Sequence, residues 1–244
     1  HAVTRELHVK LGEIGQIEKG AGQGAGQGTA ELYRPFRVGA DATAANPGLK
    51  TERSRGFEFG VDWQPNDAIS LRATAFSNRL ERAIANVTLG MGPGVFPGVG
   101  FVAAGGAFRQ RQNVDAVRSN GVELDARVVA GQWRFNASYA YSDAKVRASG
   151  VAAGLDGLRP AQVPKHLASG TLGWRWLSFT ARYTSRQFED DSNVRRLDDA
   201  LTLDAVAEVP LNRQISLSLR GENLGDARVE TAVSGTGIIE RFRS

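Results

Sequence analysis

The chain lacks cysteine and has only one methionine and three histidines among its 244 residues. Without cysteine it has neither a disulfide framework nor a thiolate metal site. No segment approaches the roughly 18 uncharged apolar residues of a membrane-spanning helix. Like charges never form a long block, because 30 basic residues are spread among 26 acidic ones. The net charge of +4 therefore indicates a mixed-charge surface or lumen rather than a nucleic-acid partner.

Few residues are candidates for catalysis. His1, His8 and His166 lie far apart in the sequence and show no metal-binding spacing. His166 and Ser169 could form a base and nucleophile, but on a strand with a period of two they point to opposite faces. We therefore predict that the protein is not an enzyme, and we predict no catalytic, cofactor or metal site.

Carboxylates are concentrated near one predicted loop, where their oxygens would suit calcium. They are Glu189, Asp190, Asp191, Asp198 and Asp199. They lack the spacing of a calcium loop and flank Arg195 and Arg196, so we expect a self-neutralised, solvated loop.

Apolar and polar side chains alternate over most of the chain between Phe57 and Arg220. From Trp133 to Tyr141 every odd position is aromatic or alanine, and the even positions are mostly polar. Successive side chains of a β-strand point to opposite faces, so such strands have one apolar and one polar face. Lipid outside and water inside suit that pattern, which predicts a transmembrane β-barrel.

Short and long connections alternate between the predicted strands. These strands are 54–64, 68–89, 108–130, 133–146, 166–176, one through 179–183, 200–210, 214–223 and a last one that begins at Ile238. Phe76 interrupts the alternation of its strand, which suggests a bulge or the end of the membrane zone. Tight turns on one side of a membrane and extended loops on the other predict an all-β, antiparallel up-and-down barrel, with about nine or ten strands here.

All four tryptophans lie toward the short turns. Trp63 precedes one turn, Trp133 follows another, and Trp174 and Trp176 precede a third. This placement predicts an aromatic girdle at one membrane interface.

The odd positions of the predicted 108–130 strand form a charged row. The row consists of Arg109, Arg111, Asp115, Glu123, Asp125 and Arg127. We expect it to face a hydrated lumen, and Gly121 on the same face permits close approach of another part of the chain. The loops Met91–Phe101 and Ser149–Gln162 lie on the long-loop side, where a ligand would be captured, but the sequence assigns no ligand-binding residue.

Residues 1–29 differ from the rest of the chain. The run Gly20–Gly28 is of low complexity and has no phosphate-binding pattern, and 1–19 fits an amphipathic helix or a strand pair. The sequence starts at His1 with neither an initiator methionine nor a secretory signal. We therefore expect a mature or truncated piece, with an atypical leader or linker over 1–29 and the barrel portion over 30–244.

Five short motifs, in order, resemble those of TonB-dependent outer-membrane receptors. They are Glu31-Leu32-Tyr33, Asn46-Pro47-Gly48-Leu49 followed by Glu58-Phe59-Gly60, Gly121-Val122-Glu123, Pro164-Lys165-His166 and Asn223-Leu224-Gly225-Asp226. Asn, Asp and Pro suit the corners between strands and loops. The resemblance covers 31–244 and implies the carboxyl-terminal part of a larger barrel.

The resemblance also implies a function and a location. Such a receptor lies in the outer membrane of a Gram-negative bacterium and takes up a scarce nutrient such as a ferric siderophore. Its partners would be outer-membrane lipid, a plug domain, the TonB system and the small nutrient ligand, with no cofactor. Two alternatives remain open, which are a passive porin-like diffusion barrel and a non-functional receptor remnant.

Overall fold

The computed structural model describes residues 6–19, 34–234 and 237–240. In chain order the strands are β1 (Glu6–Lys19), β2 (Phe36–Val38), β3 (Asp41–Ala44), β4 (Glu52–Asn66), β5 (Ile69–Glu81), β6 (Ile84–Met91), β7 (Gly94–Phe96), β8 (Gly100–Val102), β9 (Ala107–Asn113), β10 (Ala116–Ala130), β11 (Trp133–Arg147), β12 (His166–Trp174), β13 (Leu177–Thr184), β14 (Gln187–Phe188), β15 (Arg196–Leu197), β16 (Ala200–Pro210), β17 (Ser216–Gly221), β18 (Glu230–Ser234) and β19 (Gly237–Glu240). A 3-10 helix spans Gly150–Leu155. Within the described segments, no helix has the length and apolar character needed to cross a membrane.

Nine strands form one antiparallel sheet in the order β1-β4-β5-β10-β11-β12-β13-β16-β17. The turns that link β4 to β5, β10 to β11, β12 to β13 and β16 to β17 are short, and the other connections are long. The prediction of an all-β, antiparallel up-and-down sheet is confirmed. In the described part of the chain β1 and β17 are edge strands, so the sheet is part of a barrel and is not closed.

The first strand comes from the region that the sequence suggests is a leader. Glu6 pairs with Gln64 and Lys19 pairs with Glu52, so β1 runs from the short-turn end to the long-loop end. That direction continues the up-and-down order of the sheet. Part of the expected leader therefore adds one strand to the sheet, while the glycine-rich run lies outside the described residues.

Two predicted strands are each divided in the structure. The 68–89 segment becomes β5 and β6, which separate at Arg82, a residue with a φ of 54°. The 108–130 segment becomes β9 and β10, and the N–H of Val114 donates to the carbonyl of Ala83 across the break (2.8 Å). β6 and β9 leave the main sheet and form a four-stranded sheet in the order β2-β3-β9-β6. The alternation of polarity cannot reveal such breaks, because both halves keep strand geometry.

Phe76 does not mark a bulge. β5 keeps its register with both neighbours there, so that Phe76 lies between Glu58 of β4 and Gly121 of β10. The predicted bulge is wrong: Phe76 is an aromatic residue on the polar face, opposite a residue without a side chain.

Buried apolar side chains gather at the long-loop end. One cluster includes Ala83, Val114, Val146 and Leu155, and a second includes Val102 and other residues of the four-stranded sheet and its hairpin. Val146 lies an even number of positions from Arg134 and Asn136 in β11, so it shares their polar face. The first cluster therefore lies on the polar face. The loops therefore pack against the polar face at this end.

The opposite face of the sheet exposes large apolar side chains, as a face covered by lipid does. Phe57 is 66% exposed and Phe179 is 52% exposed. The four tryptophans lie near the short turns, and Trp133 pairs in register with Trp174 at a ring-centroid distance of 6.1 Å. The predicted aromatic girdle is confirmed.

The carboxyl-terminal segment differs from the prediction. The expected last strand from Ile238 corresponds to β19, which pairs with β18 in a separate two-stranded sheet. Within the described residues it therefore adds no strand to the main sheet.

Candidate ligand-binding site at the long-loop end

An ion-pair cluster joins two parts of the long-loop end. Asp41 of β3 accepts a hydrogen bond from Arg195, between β14 and β15 (2.7 Å), and lies 3.2 Å from a guanidinium nitrogen of Arg109 in β9. The N–H of Ala107 donates to the other carboxylate oxygen of Asp41 (2.8 Å). We call Asp41, Arg109 and Arg195 the Asp41 clamp. Its side chains are 13–17% exposed, so water screens these pairs less than it screens surface pairs.

The clamp is charged at neutral pH. Burial raises the pKa of Asp41, but the hydrogen bonds from Arg195 and Ala107 and the charges of Arg109 and Arg195 outweigh it, so the pKa lies below its ordinary value. The hydrogen bond to Asp41 likewise raises the pKa of Arg195.

Two carboxylates beside the clamp are bound from within the protein. Asp190 accepts from the N–H of Arg195 (2.6 Å) and from the Ser192 hydroxyl. Asp191 accepts from the N–H and the hydroxyl of Thr88, at 2.9 and 3.0 Å. Arg196 pairs with Asp198 (3.6 Å), which is 68% exposed, so the expectation of a self-neutralised, solvated loop is confirmed for that pair. It is wrong for Asp190 and Asp191, which are only 6% and 8% exposed. Among the side chains that the structure describes, no group of three or more histidines or carboxylates is placed to hold a metal ion.

Two adjoining cavities lie next to the clamp. Their volumes are about 300 Å³ and about 240 Å³. The residues that line both are Asn86, Arg109, Ala161 and Glu189. Phe36 and Asp41 line the larger cavity, and Leu155 and Arg159 line the smaller one. The walls thus combine apolar surface with charged groups, as small-ligand sites do.

Arg159 provides a cationic group in the smaller cavity. Burial lowers its pKa, while the charge of Asp143 opposes that shift and the charge of Arg186 adds to it. One guanidinium nitrogen donates to the carbonyl of Val163 (2.8 Å), and the guanidinium carbon lies 5.6 Å from the centre of the Phe188 ring. These contacts hold Arg159 in the cavity wall and leave it further donors for a ligand.

The charged row expected along 108–130 is not one continuous row, because β9 turns away from β10. Arg109 belongs to the clamp, and Arg111 lies over the ring of Phe36 at 4.8 Å. Asp115 accepts from the hydroxyl of Ser149 (3.0 Å). Asp41 was not predicted at all: it is 154 residues from Arg195, and nothing in its own sequence neighbourhood marks it.

The two loops expected to capture a ligand have different places. Ser149–Gln162 contributes Arg159, Ala161 and Gln162 to the cavities. Met91–Phe101 is not among the residues that line these two cavities, and it contains β7 and the start of β8, where Phe96 stacks on Phe108 at 4.6 Å.

His166 and Ser169 do not meet. Nδ1 of His166 is hydrogen-bonded to the hydroxyl of Tyr139, and the hydroxyl of Ser169 to that of Ser138, both at 2.8 Å. The prediction that they point to opposite faces is therefore confirmed.

The asparagine motifs form corners, as their residue types indicate. Asn46 accepts from the N–H of Gly48 (2.9 Å) and donates to the carbonyl of Arg111 (2.8 Å). Asn223 donates to and accepts from the backbone of Ala227, at 2.9 Å each. The Glu31-Leu32-Tyr33 motif lies outside the described residues.

A two-faced antiparallel sheet, an aromatic girdle at its turn end and folded loops at its other end define part of a transmembrane β-barrel. The model of the family described as "TonB dependent receptor-like, beta-barrel" matches residues 20–224. The chain therefore belongs to the TonB-dependent receptors, which are outer-membrane proteins of Gram-negative bacteria.

Individual relatives match this chain over part of their length. The ferrioxamine receptor of Yersinia enterocolitica is 27% identical in an alignment of 184 positions that covers 71% of this chain and 22% of that receptor. The copper transporter OprC superposes with a TM-score of 0.70 at 17% identity, over 99% of this chain and 35% of its own. The siderophore receptor PiuA from Acinetobacter baumannii superposes with a TM-score of 0.62 at 20% identity, over 80% of this chain and 28% of its own. The chain thus spans between about a fifth and a third of these relatives, and the structural matches show a shared fold.

Proposed function

We propose that the chain is the carboxyl-terminal barrel portion of a longer receptor, and that the complete receptor takes up a scarce nutrient such as a ferric siderophore with energy supplied through TonB. The observation that carries this proposal is the pair of adjoining cavities at the long-loop end of a barrel of this family. The relatives support a metal or metal chelate as the cargo, since they are a ferrioxamine receptor, a siderophore receptor and a copper transporter.

The geometry supports capture of the ligand at the loop end. The Asp41 clamp holds the loop of Arg195 against the four-stranded sheet, so the rim of the cavities is fixed before a ligand arrives. A preorganised rim saves the free energy of ordering loops on binding. Arg159 and the aromatic ring of Phe36 offer a cation and an apolar surface, which suit a chelate with anionic oxygens and an apolar body.

The other partners follow from the two faces of the sheet. The apolar face would contact outer-membrane lipid. The polar face would line the lumen that holds the plug domain in the complete receptor, and the plug would couple ligand binding to TonB.

Uptake by cells tests the proposal. A strain without competing receptors would express the complete receptor and be given radioactive iron as ferrioxamine, as a ferric catecholate or as free ferric ion, and radioactive copper in a parallel sample. We expect accumulation of one of these cargoes that stops when TonB is deleted. Equal accumulation without TonB would indicate a passive barrel instead, and a receptor that is absent from the outer membrane would indicate a remnant.

Two matched variants locate the binding site. Arg159→Gln should weaken binding of the imported cargo about tenfold, which corresponds to the loss of one charge-assisted hydrogen bond of about 1.4 kcal/mol. Arg213→Gln removes the same charge from an exposed turn at the other end of the barrel and should leave binding unchanged. If both variants bind like the wild type, the ligand does not contact the smaller cavity.

A further inference from the structure

Four cationic residues lie side by side across four neighbouring strands. The register pairs Arg55 of β4 with Arg79 of β5, Arg79 with Arg118 of β10, and Arg118 with Lys145 of β11. We call these four residues the cationic row. Side chains two positions apart on a strand share a face, so the row lies on the same face as Phe57, which is the apolar face that lipid covers. The register, rather than any run of charge in the sequence, creates the row.

The row repels itself. Like charges directly opposite each other on adjacent strands destabilise a sheet. Arg79 lies 3.4 Å from the carboxylate of Glu81, and Lys145 lies 3.7 Å from that of Asp143. Asp143 is also shared with Lys165, at 3.2 Å, so these five cations against two carboxylates leave an excess of three positive charges. Because adjacent strands are about 4.8 Å apart, the row extends over about 14 Å, a length that suits more than one anionic group.

The depth of the row in the membrane follows from strand geometry. Twelve positions separate Trp133, in the aromatic girdle, from Lys145 on the same strand. At about 3.3 Å per residue and a tilt of about 40–45°, they are about 28–30 Å apart along the membrane normal. The apolar band of such barrels is about 25 Å tall. The cationic row therefore lies at the opposite interface from the girdle, on the long-loop side, at the level of the lipid headgroups.

We propose that the cationic row binds the phosphorylated headgroup of an outer-leaflet glycolipid, which in a Gram-negative outer membrane is lipopolysaccharide. Arginine pairs with phosphate through parallel hydrogen bonds, and a basic cluster at headgroup depth attracts anionic lipid. The bound phosphates offset the repulsion within the row, and the acyl chains lie along the apolar face below it. The inference requires only that the barrel lies in the outer membrane, and it holds for any nutrient that the receptor takes up.

Binding to purified complete receptor in neutral detergent provides the first test, with lipopolysaccharide as the probe. The double variant Arg79→Gln/Arg118→Gln should bind lipopolysaccharide with an affinity reduced by about tenfold or more. Arg118→Lys keeps the charge and should retain most of the affinity. The control variant Arg127→Gln/Arg213→Gln removes two charges outside the row and should bind like the wild type. Equal loss in the control, or no loss in the row variant, would overturn the proposal.

Two competing ligands identify the group that is recognised. Lipopolysaccharide treated with phosphatase should bind as weakly as the row variant does, and inorganic phosphate should fail to displace intact lipopolysaccharide. If the dephosphorylated lipid binds equally well, the row does not recognise phosphate. If inorganic phosphate displaces the lipid completely, the row is a general anion site rather than a lipid site.

Thermal stability gives a readout that a purely structural role of Arg118 would not produce. In neutral detergent without lipopolysaccharide, Arg118→Gln relieves repulsion, so the melting temperature should rise or stay the same. In bilayers that contain lipopolysaccharide the same variant should melt at a lower temperature than the wild type, because a ligand of the folded state is lost. A shift in the same direction in both media would contradict the proposal.

Discussion

The ring of Phe76 covers the backbone of Gly121 on the polar face of the main sheet. A Cβ atom added to Gly121 would lie 2.4 Å from Cζ of Phe76 and 2.1 Å from the carbonyl oxygen of Tyr141. The two residues are directly paired between β5 and β10. An aromatic side chain laid across a cross-strand glycine shields backbone that would otherwise face water, and it helps to fix the register.

Replacing this glycine should destabilise the barrel. Gly121→Ala forces a methyl group against both the ring and a backbone carbonyl, and we expect a cost of about 1–3 kcal/mol in the free energy of unfolding. Heat unfolding of the complete receptor can be followed on a gel, where the compact folded form migrates differently from the unfolded form. The temperature at which half of the compact form is lost measures this cost. Adding Phe76→Ala should not restore stability, because the contact with the Tyr141 carbonyl remains.

Gly170 provides the matched control for this prediction. It lies within β12, and a Cβ added there would meet nothing within 4 Å. Gly170→Ala should therefore leave the midpoint almost unchanged. A similar loss for both variants would mean that strand glycines matter through flexibility rather than through the Phe76 contact.

The assignment of faces predicts a strong asymmetry between two neighbouring positions of β10. Leu124→Arg places a charge on the lipid-covered face near the middle of the strand, which should cost about 2–4 kcal/mol. Glu123→Arg places the same side chain on the polar face and should change stability little. The test is the yield of folded receptor in the outer membrane and its unfolding midpoint in lipid. If Glu123→Arg is the more damaging variant, the faces are reversed.

Breaking the Asp41 clamp should release the loop that carries Arg195. Asp41→Asn leaves two partly buried guanidinium groups without their shared carboxylate, and we expect a local cost of about 2–4 kcal/mol. The chain has no cysteine, so spin labels can be attached to cysteines introduced at Val38 and Val194, which are 62% and 78% exposed. The distance distribution between the labels should broaden in Asp41→Asn. It should stay narrow in the control Asp198→Asn, since Asp198 is 68% exposed and its pair with Arg196 is a surface pair.

Acid should open the same clamp within a defined range of pH. The pKa of Asp41 in the folded protein lies below its ordinary value of 3.8. A carboxylate of this kind contributes stability above its unfolded pKa and loses that contribution as the pH falls through the lower folded pKa. The distance between labels at positions 38 and 194 should therefore be constant from neutral pH down to about 4 and should broaden below that. Asp41→Asn should remove this step, and a step at higher pH would point to a different titrating group.

The alternation of polarity predicted the larger part of the fold. It predicted β4, β11 to β13, β16 and β17 close to their observed bounds, and it placed the tryptophans at the short-turn end. These features depend on local chemistry, because which face a side chain occupies is decided by position along the strand and by contact with lipid or water. The breaks at Arg82 and Val114 were missed, since a strand that changes sheets keeps the same alternation.

The sequence by itself determined a two-faced, antiparallel barrel sheet with tight turns at one end, because every residue carries its own preference for lipid or water. Tertiary structure alone decided which distant residues meet. It brought Asp41 to Arg195, laid Phe76 over Gly121, and aligned Arg55, Arg79, Arg118 and Lys145 in one row. The physical reason is that these contacts depend on strand register and loop packing, which arise from the pairing of the whole sheet and leave no periodic trace in any one segment.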